Sequence, residues 1–173
     1  MNCGVATLQG VHQKGGASLS TEDTKAIARR LYEEAFNTGN IAVVDELVAP
    51  NIVLHYDYPA DILGPADTQS GLEAITHFVS HVRTTFPDYH FTIELQVAEG
   101  DLVVTRGTAR GTHQGAYWDS TFGDIPPTAK QVTWTETAID RIVEGKIVEN
   151  WINEDALGRL QQIGALPTSG QAS

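Results

Sequence analysis

Cysteine is all but absent: Cys3 is the sole thiol in 173 residues. One thiol closes no internal disulfide, and without a second there is no Cys-x-x-C pair to bind metal or run thiol redox chemistry. Basic residues are also scarce, 11 Lys and Arg against 22 Asp and Glu, for a formal net charge of −11. That balance excludes nucleic acid as a partner, because a phosphate backbone has to be met by clustered cations. The densest basic pair, Arg29-Arg30, stands beside two glutamates, Glu33 and Glu34. No apolar run approaches the roughly 18 residues of a membrane-spanning helix, so no membrane partner is expected. There is no Gly-x-Ser-x-Gly elbow for a nucleophilic serine and no His-Glu-x-x-His for zinc. Met1 to Leu19 lacks the apolar core and basic flank of a secretory signal, which points to a cytoplasmic protein.

What remains is a chain of 41% hydrophobic residues, enough for one domain that buries roughly two-thirds of its unfolded surface. Residues 1–19, rich in Gly, Ser and Gln, read as a disordered arm, and 167–173 as a flexible tail; 20–166 form the domain. Ser20-Thr21-Glu22-Asp23 is a helix start with a hydroxyl cap, and Ile27, Leu31 and Ala35 follow at helical spacing with Tyr32 and Phe36 beside them. Asn37-Thr38-Gly39-Asn40 ends that helix. A short helix reaches Pro50, and residues 51–58 read as a strand. A third helix carries Leu72, Ile75, Phe78, Val79, Val82 and Phe86 on one face. From Asp88 the period becomes two: Tyr89, Phe91, Ile93, Leu95 and Val97 point one way. Strands follow at 102–111, 131–142 and 147–153, the last two joined at Glu144-Gly145. A final helix, about 155–163, carries Leu157, Leu160 and Ile163. The order predicts an α+β fold with helices on one side of a mostly antiparallel sheet.

Several segments resemble one family in order along the chain: residues 31–40 (LYEEAFNTGN), 86–88 (FPD), 111–115 (GTHQG), 125–128 (IPPT), 141–149 (RIVEGKIVE) and 155–164 (DALGRLQQIG). They are similar to the SnoaL-like polyketide cyclases, of the nuclear transport factor 2-like superfamily. The resemblance implies a curved sheet wrapped around helices into a cone-shaped pocket, open at one end, for a small hydrophobic organic ligand. It also implies a homodimer paired through the outer face of the sheet, with Trp151 covered by the partner. The family's cyclases use an aspartate on the last strand and a cavity histidine for ring closure. Ungapped matching puts Ile152 and Ala138 at those places, so acid–base groups, if present, are relocated.

Glu136 is the leading candidate. Val132, Trp134, Glu136 and Ala138 share one face of their strand while Thr133, Thr135 and Thr137 share the other, which carries Glu136 inward with the apolar residues. An inward carboxyl either pairs with Arg106 or Arg110 on the neighbouring strand or is a tuned acid or base in an apolar cavity. His55 and Asp57 lie two residues apart on one strand face. The hydrophobic count puts His55 outside, whereas the resemblance puts it near the cavity, where a His–carboxylate pair can move protons. His113, at the start of the loop 112–130, is placed at the pocket mouth, as a further acid–base candidate or as a loop histidine bonded to backbone. Tyr32, Phe36, Phe78, Trp118, Trp134, Asn150 and Ile152 are the expected ligand-binding residues. Tyr117, Trp118 and Phe122 of the long loop are expected to cap the pocket mouth or to touch the partner subunit. His77 and His81, one helical turn apart, read as polar-face residues. No metal and no cofactor are expected. The functional reading is an acid–base enzyme of cyclase or isomerase type, or a binding module for an apolar molecule.

Overall fold

The computed structural model describes residues 19–56, 71–119 and 123–166. The arm up to residue 18, the tail from 167 and Asp57 lie outside the described residues. Helix α1 (Thr21–Arg30) starts where its cap predicts: Ser20 Oγ accepts from the Asp23 N–H at 3.2 Å, and the Asp23 carboxyl accepts the Ser20 N–H at 3.1 Å. It runs on into a π-helical stretch, Leu31–Phe36, where the Asn37 N–H reaches the Tyr32 carbonyl five residues back at 2.9 Å. Such wide turns cluster at functional sites, and this one delivers Phe36 to the pocket described below.

Helix α2 (Ala42–Leu47) leads into strand β1 (Val48–Tyr56) and helix α3 (Leu72–Thr85) follows. Strands β2 (His90–Glu99) and β3 (Leu102–Thr112) pair next, then the short hairpin β4 (Tyr117–Asp119) and β5 (Gly123–Ile125). Strands β6 (Gln131–Val143) and β7 (Lys146–Glu154) and helix α4 (Ala156–Ile163) complete the described elements. The main sheet is curved and mixed, in the order β1-β7-β6-β3-β2, with β1 parallel to β7 and the other pairs antiparallel. The helices cover its concave side. The β6–β7 turn is the tight hairpin its sequence announces, with φ of 51° at Glu144 and 80° at Gly145. Helix α4 is capped by Asp155, whose carboxylate accepts the Gly158 N–H at 2.8 Å, and stops at Gly164 with φ 89°.

Three local readings need correction. Strand β1 begins at Val48 and contains Pro50; it is an edge strand, so the missing N–H is tolerated, and its register shifts between Val48 and Val53. On β2 a bulge between Ile93 and Leu95 slips the alternation by one. Phe91 stays in the core, but Leu95 and Val97 turn outward and are 54% and 52% exposed. On α4 the buried face holds Leu160, Ile163 and Arg159, while Leu157 is exposed. The core lies between the sheet's inner face and α1, α2 and α3, around residues such as Leu31, Val44, Val79, Phe91, Val132 and Ile147. Each such side chain contributes about 1.5–3 kcal/mol by leaving water.

Candidate functional site

Strand β6 builds the floor of the site. Its alternation is regular from end to end: Val132, Trp134, Glu136, Ala138, Asp140 and Ile142 are buried and their neighbours face out. Above Trp134 and Glu136 the helices leave a pocket with about 420 Å³ of non-atom space, part of it open to solvent. Phe36 enters from the π-helical stretch, Phe78, His81, Val82 and Thr85 from α3, Phe86 and Tyr89 from the turn after it, and Tyr117 from β4. Glu154 closes the end of β7 and Arg159 reaches in from α4. The aromatic rings pack on one another, Phe86–Trp134 at 5.2 Å and Tyr89–Trp134 at 5.9 Å between centroids, with Phe36 and Phe78 edge-to-face at 5.8 Å. Gly107 is the β3 residue opposite Glu136, and the Phe91 ring fills the space where its side chain would be.

The polar groups of this apolar chamber are few and unequal. Glu136 and Glu154 are register partners on adjacent strands. Arg159 forks onto Glu154: Nη1 donates to Oε2 at 2.6 Å, and Nη2 contacts Oε1 while donating to the Tyr117 hydroxyl at 2.8 Å. The guanidinium lies between the Tyr117 and Trp134 rings, 5.2 and 5.1 Å from their centroids. Glu136 has no such support. It is 8% exposed, and no described residue offers it a hydrogen bond. Burial, reinforced by the Glu154 charge and opposed by Arg159, pushes its carboxyl up to about 8. It is therefore chiefly a neutral acid at pH 7, beside a charged pair. Burial also raises the Tyr89 phenol, helped by the two carboxylates. The His81 imidazole is lowered by burial, by His77 and by Arg159, so it stays neutral. The buried indole N–H of Trp134 finds no acceptor among the described residues.

Two inward steps along β6, past Ala138, lies a second buried acid. Asp140, fully buried, accepts from the Asn150 amide at 2.7 Å, and burial pushes its carboxyl up to about 7. Its other oxygen, Oδ2, and the Asn150 oxygen are both buried without partners among the described residues. A proton on Oδ2 supplies the donor that both lack.

The pocket gathers Phe36, Phe78, Trp134 and Glu136 of the expected residues. Neither Arg106 nor Arg110 pairs with Glu136: both share the outer face with the threonines of β6, and Arg106 pairs there with Glu94. His55 is on the outer face of β1, as the hydrophobic count has it. Its ring stacks on Trp151 at 4.8 Å and its Nε2 meets Glu149 at 2.9 Å. Asp57 lies outside the described residues. His113 is buried behind Phe86 at 5.7 Å, held by Thr128 at 3.1 Å, and does not line the pocket. Tyr32 is stacked between Phe36 and Phe91 in the core, while Asn150 and Ile152 sit deeper than the pocket wall. Trp118 lies on β4 with its side chain, like all of Phe122, outside the described residues; Tyr117 is buried in the wall. Among the described residues no three His, Cys, Asp or Glu side chains gather as metal ligands, and no helix is long and apolar enough to cross a membrane.

Residues 26–163 match the model of the SnoaL-like polyketide cyclase family. The chain belongs to this family. It is 30% identical over 135 residues to nogalonic acid methyl ester cyclase of Streptomyces nogalater, covering 75% of this chain and 90% of that protein. Among solved structures, IdmH of Streptomyces antibioticus is 33% identical with a TM-score of 0.66, over 82% of this chain and 98% of its own. TsrD of Streptomyces laurentii superposes with a TM-score of 0.71 at 24% identity, over 86% and 99%, a likeness of fold.

Ala138 and Ile152, which ungapped matching sets at the places the resemblance implies for a histidine and an aspartate, are register partners and both buried. The Glu136–Glu154 pair stands one inward step further along the same two strands. Glu154 and Asp140 were both available to sequence reasoning, since each continues the inward alternation of its strand by one step. The apolar stripe of α3 hides His81, although it lies between Phe78 and Val82, which line the same wall. Arg159 left no such signal: it sits on an amphipathic helix beside an acidic strand end, and only tertiary packing turns it inward.

Proposed function

We propose that this SnoaL-like protein is an acid–base enzyme of cyclase or isomerase type, acting on a hydrophobic polyketide- or terpenoid-like substrate and working as a homodimer. Glu136 carries the reading. A buried carboxyl with no hydrogen-bond donor among the described residues, kept neutral in an aromatic chamber, can give a proton to a carbonyl or epoxide oxygen as negative charge develops there. Ketosteroid isomerase works by the same logic: an apolar site keeps a carboxylic acid neutral so that it can donate. The Phe, Tyr and Trp walls favour a flat, largely apolar ligand. The Arg159–Glu154 pair supplies a fixed dipole beside the donor and holds Tyr117 in the wall. Ring closure by aldol addition forms one carbon–carbon bond and otherwise moves protons, and Glu136 supplies the proton that the carbonyl oxygen takes.

Two measurements test this. Carbon-13 NMR titration of the Glu136 carboxyl should give a midpoint near 8; a midpoint at or below about 4.3, the ordinary glutamate value, removes Glu136 as the donor. Incubation with nogalonic acid methyl ester, the compound in the name of the Streptomyces nogalater relative, should yield a ring-closed isomer of unchanged mass. Glu136→Gln should slow that conversion by about 10²–10⁴-fold. Tight binding without conversion would instead leave the pocket a holder of apolar molecules, the reading that the loss of the family's acid–base pair to Ile152 and Ala138 favours.

A further inference from the structure

A donor in the pocket wall needs an acceptor for the proton that leaves carbon. Of the groups lining the wall, Glu154 is taken by both terminal guanidinium nitrogens of Arg159, and the Tyr89 phenol is held protonated by burial. His113 and Asp140 are buried elsewhere and do not reach the pocket. One group remains. His81 stands on α3 in the wall, and its Nε2 is a buried atom with no hydrogen-bond partner among the described residues. The Tyr117 ring lies 6.4 Å away between centroids, packing near the imidazole without giving it a hydrogen bond.

We infer, on the footing of the acid–base reading above, that His81 is the proton acceptor of this pocket and that it works with Glu136 as an opposed base and acid on one carbonyl substrate. The Nε2 lone pair takes a proton from the carbon next to the carbonyl, and the C–H electron pair becomes the C=C bond of an enol. The carbonyl π pair takes the Glu136 proton. A neutral imidazole and a neutral carboxyl thus become imidazolium and carboxylate, with no net charge created in the chamber. The enol carbon is then the nucleophile for ring closure onto a second carbonyl of the same substrate. The charges around His81 suit a base that must start neutral: Arg159 on α4 and His77 one turn earlier on α3 both disfavour its protonated form. Once the proton is taken, the new Glu136 carboxylate in the same wall carries the charge opposite to that of the imidazolium.

The test uses 2-tetralone, a bicyclic ketone, as a probe, and follows exchange of its α-protons for deuterium in D₂O by proton NMR. Wild-type exchange should exceed buffer and follow a bell-shaped pH profile. The acid limb lies below His81's ordinary midpoint of 6.5, and the alkaline limb near 8, where Glu136 ionises. His81→Gln should lower exchange by about 10²–10⁴-fold and abolish the acid limb while leaving the alkaline one. Nitrogen-15 shifts of the wild-type protein at pH 7 should show His81 Nε2 without a proton, a readout that does not depend on any variant. If Glu136→Gln loses exchange but His81→Gln keeps it together with its acid limb, His81 is not the base and the Glu136 reading stands. A protonated Nε2 at pH 7 equally overturns the His81 assignment. No exchange above buffer from the wild type overturns both.

Discussion

Replacing Glu136 by glutamine should make the protein more stable than the wild type by an amount that grows with pH. The carboxyl is raised from 4.5 to about 8 in the folded chain. Between those values the folded state holds a proton that the unfolded state has released, so wild-type stability is full below about 4.5 and falls as pH rises toward 8. The slope is about 1.4 kcal/mol per pH unit, which amounts to about 3 kcal/mol lost by pH 7 and about 5 kcal/mol by pH 8 and above. Relaxation and water entry into the pocket make these upper values. Glutamine has the shape of the neutral acid and releases no proton, so it escapes this loss. Asp140 also destabilises the fold as pH rises, but it does so in both proteins and largely cancels in the difference, apart from its charge acting on Glu136. Urea unfolding at pH 5, 6, 7 and 8 gives the two stabilities, and the glutamine advantage should widen steadily over that range and level off above pH 8. A difference that is flat with pH, or that shrinks, would refute the claim that this buried carboxyl is neutral in the folded protein.

Asp140→Asn should gain on the wild type as pH rises from about 4 to 7 and level off above 7, because the amide supplies the donor that Asp140 loses on ionising beside Asn150; thermal melts across that range check it. Gly107→Ala should cost about 1–3 kcal/mol, as overpacking does, since the new Cβ would stand 2.3 Å from the Thr92 carbonyl and 2.5 Å from the Phe91 ring; urea unfolding at pH 6 reads it. Light scattering at tens of micromolar should find a homodimer, and Trp151→Glu should make it a monomer. Trp151 lies mid-row on the outer sheet face with Val97, Val104, Ile139 and His55 in register across the strands, an apolar strip that a second copy would cover. A wild-type monomer at that concentration refutes the pairing.

The sequence alone determined the elements and most of their facing. Alternation along β6 put Trp134 and Glu136 inward, the cap at Ser20 set the start of α1, and Glu144-Gly145 set the last hairpin. These are local properties: a side chain's direction follows from a period of two or 3.6, and a turn from the φ its residues tolerate. The signal broke where one residue of slip changes everything after it, as at the bulge that turns Leu95 and Val97 outward. Tertiary structure alone decided what surrounds each inward group. Glu136 was legible as a buried carboxyl, but whether it was paired depended on which cation arrived. Arg106 and Arg110, next door in the sheet, face away, while Arg159, 23 residues on, packs beneath Trp134 and commits itself to Glu154. Likewise His81 became part of the pocket only when α3 docked with that face toward the sheet, and His55 was kept out by the parity of β1. A pKa is set by the sum of burial and nearby charge, and both are properties of neighbours distant in sequence. The same carboxyl could have been a structural ion-pair partner or a proton donor. The packing of one helix against one strand end gave Arg159 to Glu154 and left Glu136 outside the ion pair.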